Sequence, residues 1–248
     1  MYEFETFVYL DVQKTGSTFI CNFLRDFCTE KEICKEQHAG ISENCDRSKF
    51  YFMSVRDPLD QYLSLYSYGC QTAGALYQRL ERKGHGNLYN GTWRGFRSWL
   101  RFVLEPDNAR LLGDGYGKSR FGATSKFVGL QSFRILTLAI PGAAHVLAAC
   151  ESKEEIVSVY KRNNIVNYTI KNETIRADLT ELINTKLRGS ISNLGEAMRF
   201  IEAEEPHNPS DRVDRYEANP SLGSRLRHLL EEREWLMYEE FGYQLGLA

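Results

Sequence analysis

The sequence predicts an α/β fold in which a central parallel sheet is flanked by helices. The chain has 248 residues, enough for one large domain. Two apolar runs rich in β-branched and aromatic residues, residues 7–12 and 50–55, are each followed by a turn and a helical pattern. Such alternation is typical of a parallel sheet covered on both faces. No repeat, low-complexity run or linker interrupts the chain, so we expect a single domain over residues 1–248.

The first predicted strand leads through a glycine turn into a helix. Lys14 and Gly16 follow the apolar run, two hydroxyl residues come next, and apolar residues then recur at helical spacing over residues 19–27. Backbone N–H groups at such a helix start can hold an anion, aided by the helix dipole. We expect a phosphate-binding loop here, with a plain turn and an exposed lysine as the alternative. Neither GxxxxGK[ST] nor GxGxxG occurs.

The second predicted strand, residues 50–55, ends at a turn that favours another helix. Asp57 is a typical N-cap residue and Pro58 a typical first helical residue. Ligands of open α/β sheets collect at the carboxyl ends of the strands. Arg56, together with Ser64 eight residues later, is therefore expected to hold a second phosphate, unless Arg56 only forms a surface salt bridge. The two turns together describe a ligand with phosphates at two ends.

The later part of the chain predicts further elements. Ser152, followed three residues on by a glutamate, opens a helix over residues 152–163, and residues 165–170 are predicted as a late strand. Residues 107–126 contain four glycines and no sustained apolar period, which predicts a polar loop.

The last predicted helix begins at Asn219 and Pro220 and stops at Gly242. Its expected buried stripe consists of leucines and one phenylalanine at helical spacing: Leu222, Leu226, Leu229, Leu236 and Phe241.

The overall charge is nearly balanced. The sequence has 31 Lys+Arg against 33 Asp+Glu, a net charge of −2, which argues against a basic coat for nucleic acid but leaves a local anion site open. No run approaches the roughly 18 apolar residues of a membrane span, and the first residues lack a signal-peptide pattern. If Met1 is the native start we expect a cytoplasmic protein; a trimmed lumenal domain would look the same. The sequence does not indicate an oligomeric state.

The six cysteines carry no metal-binding spacing. None forms a CxxC pair, and His38 has no ligand pattern around it, so no metal site is expected. Without a targeting signal, reduced thiols are favoured over disulfides.

The two turns resemble those of a known enzyme family. Residues 14–18, KTGST, followed by residues 56–64, RDPLDQYLS, resemble the sulfotransferases that use 3′-phosphoadenosine 5′-phosphosulfate (PAPS), in particular the carbohydrate O-sulfotransferase branch with the heparan and chondroitin enzymes. Residues 129–134 and 237–243 are also similar to that family. Residues 71–126 do not align with it.

The resemblance implies a three-layer, P-loop-like fold and a metal-independent transfer of a sulfuryl group from PAPS to an acceptor hydroxyl. The first motif would bind the 5′-phosphosulfate through Lys14, Thr15, Gly16, Ser17 and Thr18. Arg56 and Ser64 would bind the 3′-phosphate. Lys14 would also act in catalysis, by neutralising charge on the departing phosphate, as positioning and electrostatics dominate such transfers.

His38 is the expected catalytic base. Its place between the two motifs resembles that of the catalytic histidine in the heparan 6-O branch, and imidazole accepts protons near neutral pH. Glu36 is the second candidate, and a purely structural histidine is the alternative. A loop containing residues 207–210 is expected to close over the cofactor.

The acceptor, expected to be a carbohydrate or a glycosylated small molecule, has weaker signals. A segment combines aromatic and basic residues that either clamp a sugar or form an ordinary amphipathic helix: Tyr89, Trp93, Arg94, Arg97, Trp99 and Arg101. Lys118, Arg120 and Lys126 in the glycine-rich stretch are expected in a lid over an anionic acceptor.

Two other functions stay open: a nucleotide kinase or other phosphotransferase, which would depend on magnesium, and an inactive nucleotide-binding module.

Overall fold

The computed structural model describes residues 1–203 and 222–244. The strands in these ranges are β1 (Tyr2–Glu3), β2 (Phe7–Leu10), β3 (Cys34–Lys35), β4 (Phe50–Val55) and β5 (Tyr168–Lys171). The α-helices are α1 (Ser17–Phe27), α2 (Pro58–Cys70), α3 (Ala75–Arg82), α4 (Trp93–Leu104), α5 (Ala109–Leu112), α6 (Thr124–Phe127), α7 (Leu130–Ala139), α8 (Ala143–Leu147), α9 (Lys153–Asn163), α10 (Ile175–Leu182), α11 (Leu194–Ala203), α12 (Ser224–Arg233) and α13 (Trp235–Phe241).

The strands form one mixed sheet in the order β3-β1-β2-β4-β5. β2, β4 and β5 run parallel, whereas β1 pairs antiparallel with both β2 and β3. The predicted α/β class with a parallel centre is confirmed, but the sheet is not parallel throughout. The physical reason is the short connection from β1 to β2, closed by a Phe4 N to Phe7 O hydrogen bond of 2.9 Å; so short a turn can join only antiparallel strands. The three-layer, P-loop-like arrangement stays a prediction.

The described residues divide into two compact units. The first contains Met1–Arg56, Leu138–Pro141 and residues 164–203; the second contains Asp57–Thr137, Gly142–Asn163 and residues 222–244. Each unit is described by itself below, and the single domain expected from the sequence stays a prediction.

The first unit is built on the sheet, with α1, α10 and α11 sharing its hydrophobic core. Tyr9 and Phe52 stack on neighbouring strands with ring centroids 5.0 Å apart. Core residues from the strands and the three helices include Phe7, Phe52, Ile170, Ile20, Phe23, Leu179, Leu182, Ala197 and Ile201. Each of these side chains is at most 1% exposed, so α1 is fixed firmly behind the loop that precedes it.

In the second unit, Arg233 at the end of α12 binds the carbonyl groups at the end of α6. Its Nη1 donates to Lys126 O at 2.6 Å, and its Nη2 donates to Ser125 O and Val128 O and to the hydroxyl of Tyr116 at 2.8 Å. A buried cation at a helix C-terminus satisfies carbonyls that the helix leaves without donors. Arg233 is therefore a structural capping residue.

The next residue, Glu234, caps the start of α7. Its carboxylate accepts from the backbone N–H groups of Gln131 at 3.2 Å and Ser132 at 2.7 Å, from the Ser132 hydroxyl at 2.7 Å and from the Tyr62 hydroxyl. Glu234 is fully buried, and this burial raises the pKa of its carboxyl group. Four donors and the positive end of α7 compensate the buried group.

The predicted starts of two helices are confirmed, and the late strand is found close to its predicted position. Asp57 Oδ1 accepts from Asp60 N at 3.0 Å and caps α2, whose first residue is Pro58. Ser152 Oγ accepts from Glu155 N at 3.2 Å at the start of α9. The late strand begins at Tyr168, three residues after the predicted start.

The predicted final helix differs from the structure. Residues 219 and 220 lie outside the described residues, and the helical region is divided at Glu234, where the backbone turns to place its carboxylate at α7. Gly242, with φ of 66°, ends α13 as expected. Leu222, Leu226 and Leu236 are buried, whereas Leu229 and Phe241 are only partly so.

The glycine-rich stretch is not the loop that the sequence predicts. It contains α5, a 3₁₀ turn at Ser119–Phe121 and α6, and Tyr116 and Phe121 are buried. Gly113 and Gly122, with φ of 95° and 55°, supply the tight turns between these short helices. In residues 1–203 and 222–244 no helix is long and apolar enough to cross a membrane.

Candidate active site

The loop between β2 and α1 presents the start of a helix. Gly16, with φ of 85°, is the N-cap residue, and its carbonyl accepts from Phe19 N at 3.0 Å. The N–H groups of Ser17 and Thr18 have no carbonyl a turn earlier in the helix to bind. Within the described structure, the first turn of α1 has no acidic residue. These N–H groups and the positive end of the helix dipole are suited to an anion.

A chain of buried hydroxyl groups fixes the loop to the sheet. Thr15 Oγ1 donates to Val12 O at 2.7 Å, Ser54 Oγ lies 2.7 Å from Thr15 Oγ1, and Tyr9 OH lies 2.7 Å from Ser54 Oγ. Because Thr15 gives its proton to a carbonyl, Ser54 donates to Thr15 and Tyr9 donates to Ser54. Thr15, Ser54 and Tyr9 are fully buried. The Thr15 side chain thus shapes the loop, and its hydroxyl group is not available to a ligand.

Asn172 and Ile175, which follow β5, pack against the loop glycine. A Cβ at Gly16 would lie 2.7 Å from Asn172 Nδ2 and 2.7 Å from Ile175 Cδ1. Such distances are too short for real contacts. Gly16 is therefore required both for its positive φ and for the space that these side chains leave.

Gly16→Ala should lower the melting temperature and weaken binding of 3′-phosphoadenosine 5′-phosphate (PAP), the nucleotide that the sequence resemblance implies as a ligand, at least about tenfold. The added methyl group displaces Asn172 or the loop, and alanine resists the left-handed backbone. Calorimetry and thermal unfolding measure both effects. The matched control is Gly189→Ala, because a Cβ there has no neighbour within 4 Å. Equal affinities for the two variants would contradict this account.

Two cationic side chains lie near each other at the mouth of the loop. Arg56 Nη1 donates to Lys14 O at 3.5 Å, and both residues are half-buried. Burial, and secondly the positive charge of Arg56, lower the pKa of Lys14. Lys14 also has a positive φ of 64°. An anion at this point would relieve the mutual repulsion of the two charges.

His38 is held by Asp11, the residue that follows β2. Its backbone N–H donates to Asp11 Oδ1 at 3.0 Å, and its ring Nδ1 lies 2.8 Å from Asp11 O and 3.2 Å from Asp11 Oδ2. Asp11 is three residues before Lys14, which limits their Cα separation to about 11 Å. The structure therefore brings His38 to the same loop as Lys14 and Gly16.

The remaining predicted site residues are Ser64, Glu36 and residues 207–210. Ser64 belongs to the second unit, on α2, and is 7% exposed; its pairing with Arg56 on one phosphate stays a prediction. Glu36 is exposed, and its carbonyl accepts from the backbone nitrogen of Met1. Residues 207–210 lie outside the described residues.

The aromatic and basic segment forms an amphipathic helix, the second of the two interpretations. Trp99 of α4 is fully buried against Tyr62 and Tyr66, while Arg94 and Arg97 are exposed on the other side. The aromatic rings and the arginines therefore do not form one clamp.

The model of the sulfotransferase family matches residues 1–117. The match supports a sulfotransferase. It includes the glycine loop, His38, Arg56 and Ser64, and the mixed sheet with its parallel centre and flanking helices is consistent with the α/β fold of sulfotransferases. No curated protein and no solved structure gives a significant match to the chain.

Sequence reasoning missed three residues of this site. Asp11 and Ser54 are polar residues within the predicted apolar runs, residues 7–12 and 50–55, and a buried polar residue in such a run needs a partner. That was their only signal. Asn172 had none, because its contact with Gly16 depends on how β5 pairs with β4. Among the described residues, no cluster of three or more His, Cys, Asp or Glu side chains could hold a metal ion.

Proposed function

We propose that this protein transfers a sulfuryl group from PAPS to a hydroxyl group of a carbohydrate or a glycosylated small molecule. The observation that carries the proposal is the placement of Lys14 and Arg56 beside the helix start at Gly16, within the part of the chain that matches sulfotransferases. This arrangement fits a ligand with several negative charges.

The residues present fit PAPS. The N–H groups at residues 16–18 and the ammonium group of Lys14 would hold its 5′-phosphosulfate, with the hydroxyls of Ser17 and Thr18 as further donors. The guanidinium of Arg56 would hold its 3′-phosphate. When bound, PAPS supplies a sulfuryl group on a phosphate leaving group.

Lys14 stabilises the charge that develops during transfer. Bound PAPS would supply the sulfur to which the acceptor oxygen bonds, and the electron pair of the broken bond from sulfur to the phosphate oxygen would remain on the phosphate. The Lys14 ammonium, fixed at the loop, neutralises this charge. The reaction is in line and needs positioning more than covalent help.

His38 accepts the proton of the acceptor hydroxyl. With Nδ1 turned to Asp11, the opposite ring nitrogen Nε2 remains for the substrate, and the imidazole is 35% exposed. His38→Asn should lower kcat by about 10²–10³-fold and leave PAP affinity within about twofold. His145→Asn, an exposed histidine of α8, is the control. Full turnover by His38→Asn would refute this role, and Glu36 would then be the candidate for the catalytic base.

The proposed function is tested by incubating the purified protein with ³⁵S-labelled PAPS and a panel of glycans and glycosides, with and without magnesium. We expect labelled product in the presence of chelator. In a parallel incubation with γ-³²P-labelled ATP in place of PAPS, labelled product that forms only with magnesium would favour a phosphotransferase. PAP binding without transfer to any acceptor would favour an inactive nucleotide-binding module.

A further inference from the structure

The carboxylate of Asp11 is buried at the end of a central strand. Asp11 is 1% exposed and follows β2 directly. Its Oδ1 accepts from the backbone N–H of His38 and from the backbone nitrogen of Met1. Its Oδ2 faces the His38 ring at 3.2 Å from Nδ1. Burial of a carboxylate costs free energy unless hydrogen-bond donors compensate it. The donors at Oδ1 therefore fix the Asp11 carboxylate in the orientation that faces the His38 ring.

The contacts at Nδ1 determine which ring nitrogen of His38 carries the proton. Asp11 O, 2.8 Å from Nδ1, is a backbone carbonyl and can only accept. Nδ1 must therefore carry a hydrogen, and in the neutral ring Nε2 then has the free electron pair. The carboxylate, the second acceptor near Nδ1, opposes the positive charge that the ring gains when Nε2 takes a proton.

We infer that Asp11 is a positioning residue for His38: its main-chain carbonyl selects the Nδ1–H form, and its carboxylate stabilises the protonated ring during transfer. This inference rests on the proposed function, in which His38 takes the acceptor proton. The backbone of His38, with φ of 56°, is held in an uncommon conformation by the same carboxylate.

A double-mutant cycle tests the inference. In Asp11→Asn, the amide oxygen would remain on the His38 N–H and the amide NH₂ would face Nδ1–H, placing two donors together. We expect kcat to fall by about 30–100-fold in the wild-type background and by less than about threefold in His38→Asn, with PAP affinity unchanged. Glu3→Gln, which removes the carboxylate that pairs with Lys49 at 2.7 Å, is the matched control. An equal loss of kcat on Asp11→Asn in the wild-type and His38→Asn backgrounds would show that Asp11 has only a structural role and would overturn the inference.

Imidazole ¹⁵N spectra of the wild-type protein provide a readout that does not need activity. The His38 signals, assigned by comparison with His38→Gln, should show a protonated Nδ1 and an unprotonated Nε2 in the neutral ring. A protonated Nε2 would overturn the inference even where Asp11→Asn does not fold. If the wild type transfers no sulfuryl group, the proposed function fails, and the spectra alone decide whether Asp11 fixes the ring.

Discussion

Replacing Lys14 with methionine should lower kcat/KM for sulfuryl transfer by about 10³-fold and raise the melting temperature of the ligand-free protein by about 1–3 °C. Activity falls because the charge that neutralises the leaving phosphate is lost. Stability rises because burial and Arg56 disfavour the charged form of Lys14 in the folded state, as its lowered pKa indicates.

The pH dependence of this stability gain has a definite sign. The folded-state pKa of Lys14 lies below its unfolded value, so the folded protein is penalised while lysine is charged in both states. The penalty shrinks as pH rises through the folded-state pKa and vanishes above the ordinary lysine value of about 10.4. Differential scanning fluorimetry of the wild type and Lys14→Met at neutral and alkaline pH measures this penalty as a difference in melting temperature. Lys31→Met, at an exposed lysine, should change neither activity nor stability. A lower melting temperature for Lys14→Met at neutral pH would contradict the account.

Replacing Glu234 with alanine should lower the free energy of unfolding by about 3–5 kcal/mol. The change removes the acceptor for the Tyr62 and Ser132 hydroxyls and for two N–H groups at the start of α7, all inside the second unit. Glu234→Gln should have a smaller effect, because its amide oxygen still accepts. Denaturation in urea, followed by circular dichroism, gives both values.

The control for Glu234 is Glu231→Ala, an exposed glutamate on α12. It should change the free energy of unfolding by no more than about 0.5 kcal/mol. An equally small loss for Glu234→Ala would show that the carboxylate does not hold α7.

Local patterns explain what the sequence could predict. The cap at Asp57 and the glycine turn at Gly16 depend on residues within a few positions of each other, and both form as predicted. The alternation of apolar runs with helices is also local, and it predicted the parallel centre of the sheet.

Contacts between distant segments explain what the sequence could not predict. Asn172 reaches Gly16 only because β5 pairs with β4, and Asp11 faces His38 only through the path of the chain after α1. The division of the last helix at Glu234 depends likewise on a partner at Ser132. No spacing within one segment encodes these pairs.

The central claim is that the loop at Lys14 and Gly16, with Arg56, binds the phosphates of PAPS. Titration calorimetry of PAP into the wild-type protein and into Lys14→Met tests this most directly. We expect saturable one-to-one binding to the wild type that weakens with added salt, and an affinity at least about tenfold lower for Lys14→Met. Absence of PAP binding by the folded wild type, or equal affinity for both proteins, would contradict it.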